Sequence, residues 1–169
     1  MVMSVRTEIE QWDGKSANDI SVIYERYCHD SLFISEIIAL VGNITLQKGA
    51  TWLLKRYLEN ENKIADGEIS KIYENLRVIE QWESKLHILQ CLPFIPITKQ
   101  EKRKVEVFLR NCLVDSNKFV RAWAYNGFYE LAVQYPEYEK ETKQFFEMAM
   151  RDEAPSVKSR IRNIMKKGF

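Results

Sequence analysis

The sequence predicts an all-α fold, a right-handed α–α superhelix of about four helical hairpins plus a terminal helix. Three observations carry that expectation. Glycine and proline are scarce, 6 and 4 in 169 residues, which leaves little material for the turns of a sheet. Two apolar stripes recur along the chain with one shared period. The residues that stop helices fall between those stripes and not within them.

The first stripe is clearest at Val120, Ala124, Gly127 and Leu131, which follow the i, i+4, i+7, i+11 spacing of one helix face. Val157, Ile161 and Ile164 repeat it. Going backward, so do Trp82, Leu86 and Leu89, and then Leu46, Ala50, Leu53 and Tyr57. Measured from Leu46, the successive steps are 36, 38 and 37 residues. The second stripe lies between these segments. Ile72, Tyr73 and Leu76 match Phe108, Leu109 and Cys112 after 36 residues, and these match Phe145, Phe146 and Ala149 after 37. Each repeat is therefore a pair of amphipathic helices, neither of which can bury its apolar face alone.

The punctuation sets the boundaries. Asp66-Gly67 breaks the chain before Glu68. Pro93 and Pro96 stop the helix that begins near Gln81, and Thr98 with Glu101 forms a capping-box pattern for the next. Asp115, Ser116 and Asn117 separate two further helices. Pro136 ends one, and Pro155 suits the first turn of another. The spacing predicts helices over 17–29, 31–41, 45–59, 68–77, 81–92, 99–113, 118–134, 138–151 and 156–167. No strand candidate survives. Residues 1–169 are expected as one domain, with repeats over 44–167. Residues 1–43 supply atypical capping helices, because terminal repeats commonly depart from the period.

Composition bounds the rest. A hydrophobic fraction of 46% and a charged fraction of 29% are ordinary for a soluble globular chain. Net charge is +1, yet residues 1–85 carry a net −4 and residues 86–169 a net +5. That asymmetry points toward an anionic partner for the second half, with solvated helix faces as the competing explanation. Cys28, Cys91 and Cys112 are odd in number and far apart, which argues against a disulfide framework and fits a reducing, cytoplasmic setting. The opening residues lack an apolar signal core. The longest apolar stretch, Ile37 to Leu46, is too short to span a bilayer, so no membrane partner is expected.

Two segments share a finer pattern. Asp115 precedes Val120-Arg121, and 37 residues later Asp152 precedes Val157-Lys158. With Ala124 and Leu131, this resembles the HEAT-repeat (armadillo-like) family over roughly residues 44–167. The resemblance implies a ladder in which Asp115 and Arg121, and then Asp152 and Lys158, tie neighbouring repeats together. Lys158 lacks the planar fork of an arginine. It also implies a scaffold for protein binding. The copies beginning at Leu46 and Trp82 lack the Asp and the basic residue and match by periodicity alone.

Stepping 100° per residue around the helix that contains Val120 puts Lys118, Ala122, Tyr125, Asn126 and Tyr129 beside or opposite the core stripe. In HEAT-like chains this second helix lines the concave surface. The corresponding positions are Lys48, Thr51, Trp52 and Lys55, then Ser84, His87 and Cys91, then Ser159, Arg162, Asn163 and Lys166. The expected binding ridge is Trp52, Lys55, Arg121, Tyr125, Asn126, Tyr129, Arg162 and Lys166, basic and aromatic. A protein or an acidic peptide fits it, and nucleic acid is the alternative partner. Packing between repeats is the competing role for Trp52, Tyr125 and Tyr129.

No catalytic constellation is visible. His87 and Cys91 share a face without a third ligand or an orienting group, so neither a metal site nor a nucleophile pair is expected. No Gly-rich phosphate loop exists, and no cofactor is expected. Glu8, Glu10 and Asp13 are expected as a solvated acidic patch, and Lys102-Arg103-Lys104 as a solvated face. A HEAT-like DNA-alkylation-repair glycosylase would need a longer chain and a groove Asp beside Trp and Arg. The concave set offers Trp52, Arg121 and Tyr125 but no such Asp. The expectation is a non-catalytic binding module.

Overall fold

The computed structural model describes residues 3–169. They are all-helical, with ten α-helices and no strand among the described residues. The chain divides into two compact units, one ending at Phe94 and the other spanning Ile95–Phe169.

The first unit holds α1 (Val5–Gln11), α2 (Ala17–Tyr27), α3 (Phe33–Val41), α4 (Gln47–Glu59), α5 (Asp66–Glu74) and α6 (Trp82–Cys91). Serines start the first two helices: Ser4 Oγ accepts from the Thr7 amide and Ser16 Oγ from the Asp19 amide. Between them Asp13 Oδ1 accepts the amides of Lys15 and Ser16, both at 2.8 Å. Gly14 turns this corner at φ +74°, a conformation that glycine adopts without a Cβ clash. α3 is the most apolar helix and is covered on most sides, since it packs against α1, α4 and α5. Like helices stack, α3 beside α5 and α4 beside α6. Buried Gln47 fastens this stack. Its Nε2 donates to the carbonyls of Val41 (3.2 Å) and Val78 (2.9 Å), and its Oε1 accepts the Glu80 amide (3.3 Å).

α1 is an element that the periodicity does not announce. It carries only two core residues, Val5 and Ile9, both buried. Its close fit depends on Gly49 of α4, where an added Cβ would come within 2.8 Å of Ile9 Cγ2. Glu8 corrects the expectation of a solvated acidic patch. It is buried, receives a 2.8 Å hydrogen bond from the Tyr27 hydroxyl and pairs with Arg26. The partners come from α2, so Glu8 is a tertiary tie between the two helices.

The second unit holds α7 (Lys102–Leu113), α8 (Lys118–Gln134), α9 (Glu139–Asp152) and α10 (Pro155–Met165). α8 packs against α7, α9 and α10. Val120, Ala124 and Leu131 are wholly buried, as are Val157 and Ile161, and Phe108 is 6% exposed. These stripe residues face the core as the spacing requires, whereas in the first unit the copy at Trp82 is out of phase: Trp82 is 43% exposed, and Ser84, Ile88, Leu89 and Cys91 form the buried side of α6. Truncating one such side chain to alanine costs about 2–5 kcal/mol. α7 begins three residues later than the capping box implies. Thr98 accepts the amides of Glu101 and Lys102 through its backbone oxygen, and its side chain caps nothing. Pro155 stands in the first turn of α10, as expected. Gln134 Oε1 accepts the Ile97 amide (2.8 Å) while the Tyr135 hydroxyl donates to the Ile97 carbonyl (2.6 Å), which pins the entry segment to the end of α8.

No helix of the described residues is long and apolar enough to cross a membrane. None of the three cysteines is joined in a disulfide.

Candidate functional site

The distribution of paired and unpaired charge singles out one helix. On α7 every cation is matched, whereas on α9 Lys143 is paired and Lys140 and Arg151 form no ion pair with a described residue. Lys102 reaches Glu137 (2.7 Å), Arg103 reaches Glu106 (2.7 Å) and Lys104 lies 3.2 Å from Glu101. Arg110 bridges Glu106 and Glu141, and Lys143 meets Glu139. The run Lys102-Arg103-Lys104 is thus neutralised in place. α10 and the turn after it carry Lys158, Arg160, Arg162, Lys166 and Lys167, with no carboxylate between Pro155 and Gly168. None of the five forms an ion pair with a described residue. Apolar Val157, Ile161 and Ile164 occupy the buried side of α10, which leaves Arg162 and Lys166 fully on the outside.

α8 and α10 meet in a register set by the 37-residue repeat. The guanidinium carbon of Arg160 lies 4.1 Å from the centroid of the Trp123 ring. Seven residues further along each helix, the positive charge of Lys167 acts on Glu130. Lys167 also lies over Tyr129, at 5.5 Å. Burial pushes the Glu130 carboxyl above its ordinary range, and Lys167 only partly offsets this. Burial likewise lowers the pKa of Arg160, with no anion opposing the shift.

The expected ridge residues fall into three groups. Arg162 and Lys166 are exposed on α10. Tyr125 and Asn126 are buried, at 9% and 3% exposure, because α10 and α9 cover that flank of α8. Tyr125 stands edge-on to Phe146 at 6.2 Å, and burial raises the pKa of its hydroxyl. Tyr129 packs edge-on to Phe169 at 5.3 Å. Both tyrosines therefore take the packing role. Trp52 and Lys55 belong to the first unit. There Lys55 lies 3.7 Å from Glu59, and both Lys55 and Arg56 sit over the Trp52 ring.

Arg121 is structural. Its Nε and Nη2 donate to the two oxygens of Glu153, and its Nη1 donates to the carbonyls of Asp115 and Ser116. Arg121 thus ties α8 to the end of α9 through Glu153, a carboxylate that the expected pairs did not include. Asp152 is exposed and forms no pair with Lys158, whereas Glu153, one residue later, reaches Arg121. Asp115 Oδ1 accepts the Asn117 amide at the head of α8.

In the first unit, the seam between α4 and α6 is polar and closed. Lys48 pairs with Glu83 (3.1 Å), and Thr51 shares a 3.0 Å hydrogen bond with His87 Nδ1. Burial holds the His87 pKa down to about 3, so the ring is neutral. Burial pushes the Cys91 thiol up, which leaves it protonated and unreactive. No group of three His, Cys, Asp or Glu side chains placed to hold a metal occurs among the described residues. A pocket of about 370 Å³ opens beside α1, lined by Ile9, Trp12, Leu46, Lys48 and Gly49. Its one lining lysine is already engaged by Glu83.

Trp123, Glu130 and Arg160 were not among the expected ridge residues. The available signal was their spacing, since Trp123 and Arg160 are 37 residues apart and hold equivalent places in the repeat. No family model, curated protein or solved structure matches the chain.

Proposed function

We propose that this chain is a non-catalytic binding module with HEAT-like helical repeats, and that it holds an acidic segment of a protein partner on α10. The unpaired cations of α10 carry the reading. In a unit where the cations of α7 are matched by carboxylates, five on one short stretch form no ion pair with a described residue. Such a face concentrates positive potential and draws an anionic partner. The HEAT-like architecture is supported by the 37-residue register of α8 and α10 and by the stacking of α3 on α5 and α4 on α6.

An acidic peptide suits this face better than nucleic acid. Base binding relies on open aromatic faces. Here Trp123 is covered by Arg160, and Tyr129 is contacted by both Phe169 and Lys167. The two chemistry-bearing residues of the α4–α6 seam sit in structural places. His87 is neutral and hydrogen-bonded, and Cys91 is buried.

The test uses the full chain and fluorescein-labelled oligoglutamate, with oligolysine and a single-stranded oligonucleotide as comparisons. Fluorescence anisotropy should show binding of oligoglutamate alone, and Arg162→Glu with Lys166→Glu should abolish it. Preference for the oligonucleotide would replace the acidic-peptide reading with the nucleic-acid one. No binding to any probe at low salt would overturn both.

A further inference from the structure

The outer side of α10 carries an apolar residue as well as charge. Met165 is 48% exposed. Arg162 lies three residues before it and four before Lys166, spacings that place side chains on one helix face. Val157, Ile161 and Ile164 are the buried residues of the same helix.

A face of opposite sign lies on α2, in the first unit. Ile20, Ile23 and Tyr24 are the buried residues of α2. Asp19, Val22 and Glu25 follow one another at steps of three and are exposed, Val22 at 46%. Neither carboxylate forms an ion pair with a described residue. The adjacent cation, Arg26, is engaged by buried Glu8 and does not neutralise the face. The same opposition runs through the two units as wholes. Residues 86–94 contain no Asp, Glu, Lys or Arg, so the first unit carries the net −4 and the second the net +5.

The two faces are alike in plan and opposite in charge. Each holds one exposed apolar side chain beside two solvated ions. Asp19 to Glu25 spans about 9 Å of helix and Arg162 to Lys166 about 6 Å, a difference within the reach of arginine and lysine side chains. We propose that α10 of one molecule docks on α2 of a second copy, with Arg162 and Lys166 against Asp19 and Glu25, and Met165 against Val22. This rests on the proposed function and names its partner, since the acidic segment is then α2 of another molecule of the same chain. The two faces are different surfaces, so the contact is heterologous. Each docking leaves one face of each kind open, and copies add head to tail. A pair of helix faces is smaller than the interface of a stable complex, and exposed charges are screened, so the association is weak and sensitive to salt.

Sedimentation velocity and light scattering on the full chain test this. At low salt the weight-average mass should rise above 20.0 kDa as the concentration increases from about 10 μM to about 1 mM. Raising the ionic strength to about 0.5 M should return the monomer. Asp19→Asn with Glu25→Gln should stay monomeric, and so should Arg162→Gln with Lys166→Gln. Mixed in equal amounts, these two variants should form a dimer and nothing larger, because one intact α10 face meets one intact α2 face. Glu74→Gln with Lys140→Gln, exposed positions outside both faces, should associate like the wild type. All of these exchanges conserve shape at exposed positions, so the variants keep the fold, which circular dichroism checks. A wild-type chain that binds oligoglutamate yet stays monomeric would overturn the self-docking and leave the acidic-segment reading in place with a foreign partner. Association that survives either pair of face substitutions would also overturn it, as would a mixture that stays monomeric when the wild type associates. A chain that neither associates nor binds oligoglutamate would remove both readings.

Discussion

Arg121 and Glu153 form a two-point fork between α8 and the end of α9, with Nε–Oε1 at 2.9 Å and Nη2–Oε2 at 3.2 Å. The third nitrogen of Arg121 donates to the carbonyls of Asp115 and Ser116 in the turn before α8. One side chain therefore joins a helix, the turn that precedes it and the neighbouring helix. Both members are mostly buried, at 21% and 17% side-chain exposure, so screening by water is limited. Arg121→Ala should cost about 1–3 kcal/mol of stability, because it strands a carboxylate and two carbonyls. Arg121→Lys should recover only part of this, since lysine cannot fork. Chemical denaturation of the full chain checks both, and an unchanged midpoint for Arg121→Ala would remove the tie from the account of the fold.

The second prediction concerns Gln47. Its amide meets two carbonyls and one backbone amide contributed by the end of α3 and the segment leading into α6. Gln47→Leu keeps the volume but leaves one buried and two part-buried backbone groups without their partner. Each orphaned group costs about 1–3 kcal/mol. The loss should exceed that of Arg121→Ala and should appear as faster amide exchange at Glu80.

What the sequence disclosed, and what it did not, follows from the range of the interactions. Val120 and Val157 were legible because helix periodicity is local and the repeat supplies independent copies of it. α1 was not legible, because seven residues with two apolar positions make no stripe. Its tie through Glu8 depends on Tyr27, 19 residues away. Tyr125 and Asn126 fell on an outer face when α8 was considered alone, but α10 covers that side. Glu153 in place of Asp152 was a matter of reach, decided by one methylene and one residue of phase. Trp123 with Arg160 was present in the 37-residue spacing, yet stacking of a cation on a ring leaves no pattern of its own.

His87 gives the chain an acid-sensitive point. Burial is the largest cause of its lowered pKa, and Lys55 and Lys48 add to it, bringing it from 6.5 to about 3. Above pH 6.5 the ring is neutral whether the chain is folded or not, and it has no effect on the balance. Below 6.5 the unfolded chain takes up a proton that the folded chain refuses, so stability falls as pH drops from 6.5 toward 3. The slope is on the order of 1 kcal/mol per pH unit. Thermal melts across this window should show the wild type losing stability faster than His87→Gln, with the two curves parallel above 6.5. Equal slopes below 6.5 would show that the ring is not held neutral.

Glu130 should act in the opposite sense. Its carboxyl is desolvated on α8, and the charge of Lys167 does not fully offset this, so its pKa in the folded chain stands above 4.5. The folded state then holds the proton more tightly than the unfolded state. The stability that this contributes is present at acid pH and is lost as pH rises through the raised value. At neutral pH the folded chain must keep a charge in a poorly solvated place. Glu130→Gln removes that charge while preserving shape and hydrogen-bonding capacity. The variant should therefore melt at a higher temperature than the wild type at neutral pH. The difference should shrink as pH falls toward 4.5, where the native carboxyl is itself protonated. A variant less stable than the wild type at neutral pH would mean that the attraction between Glu130 and Lys167 outweighs the burial of the carboxylate.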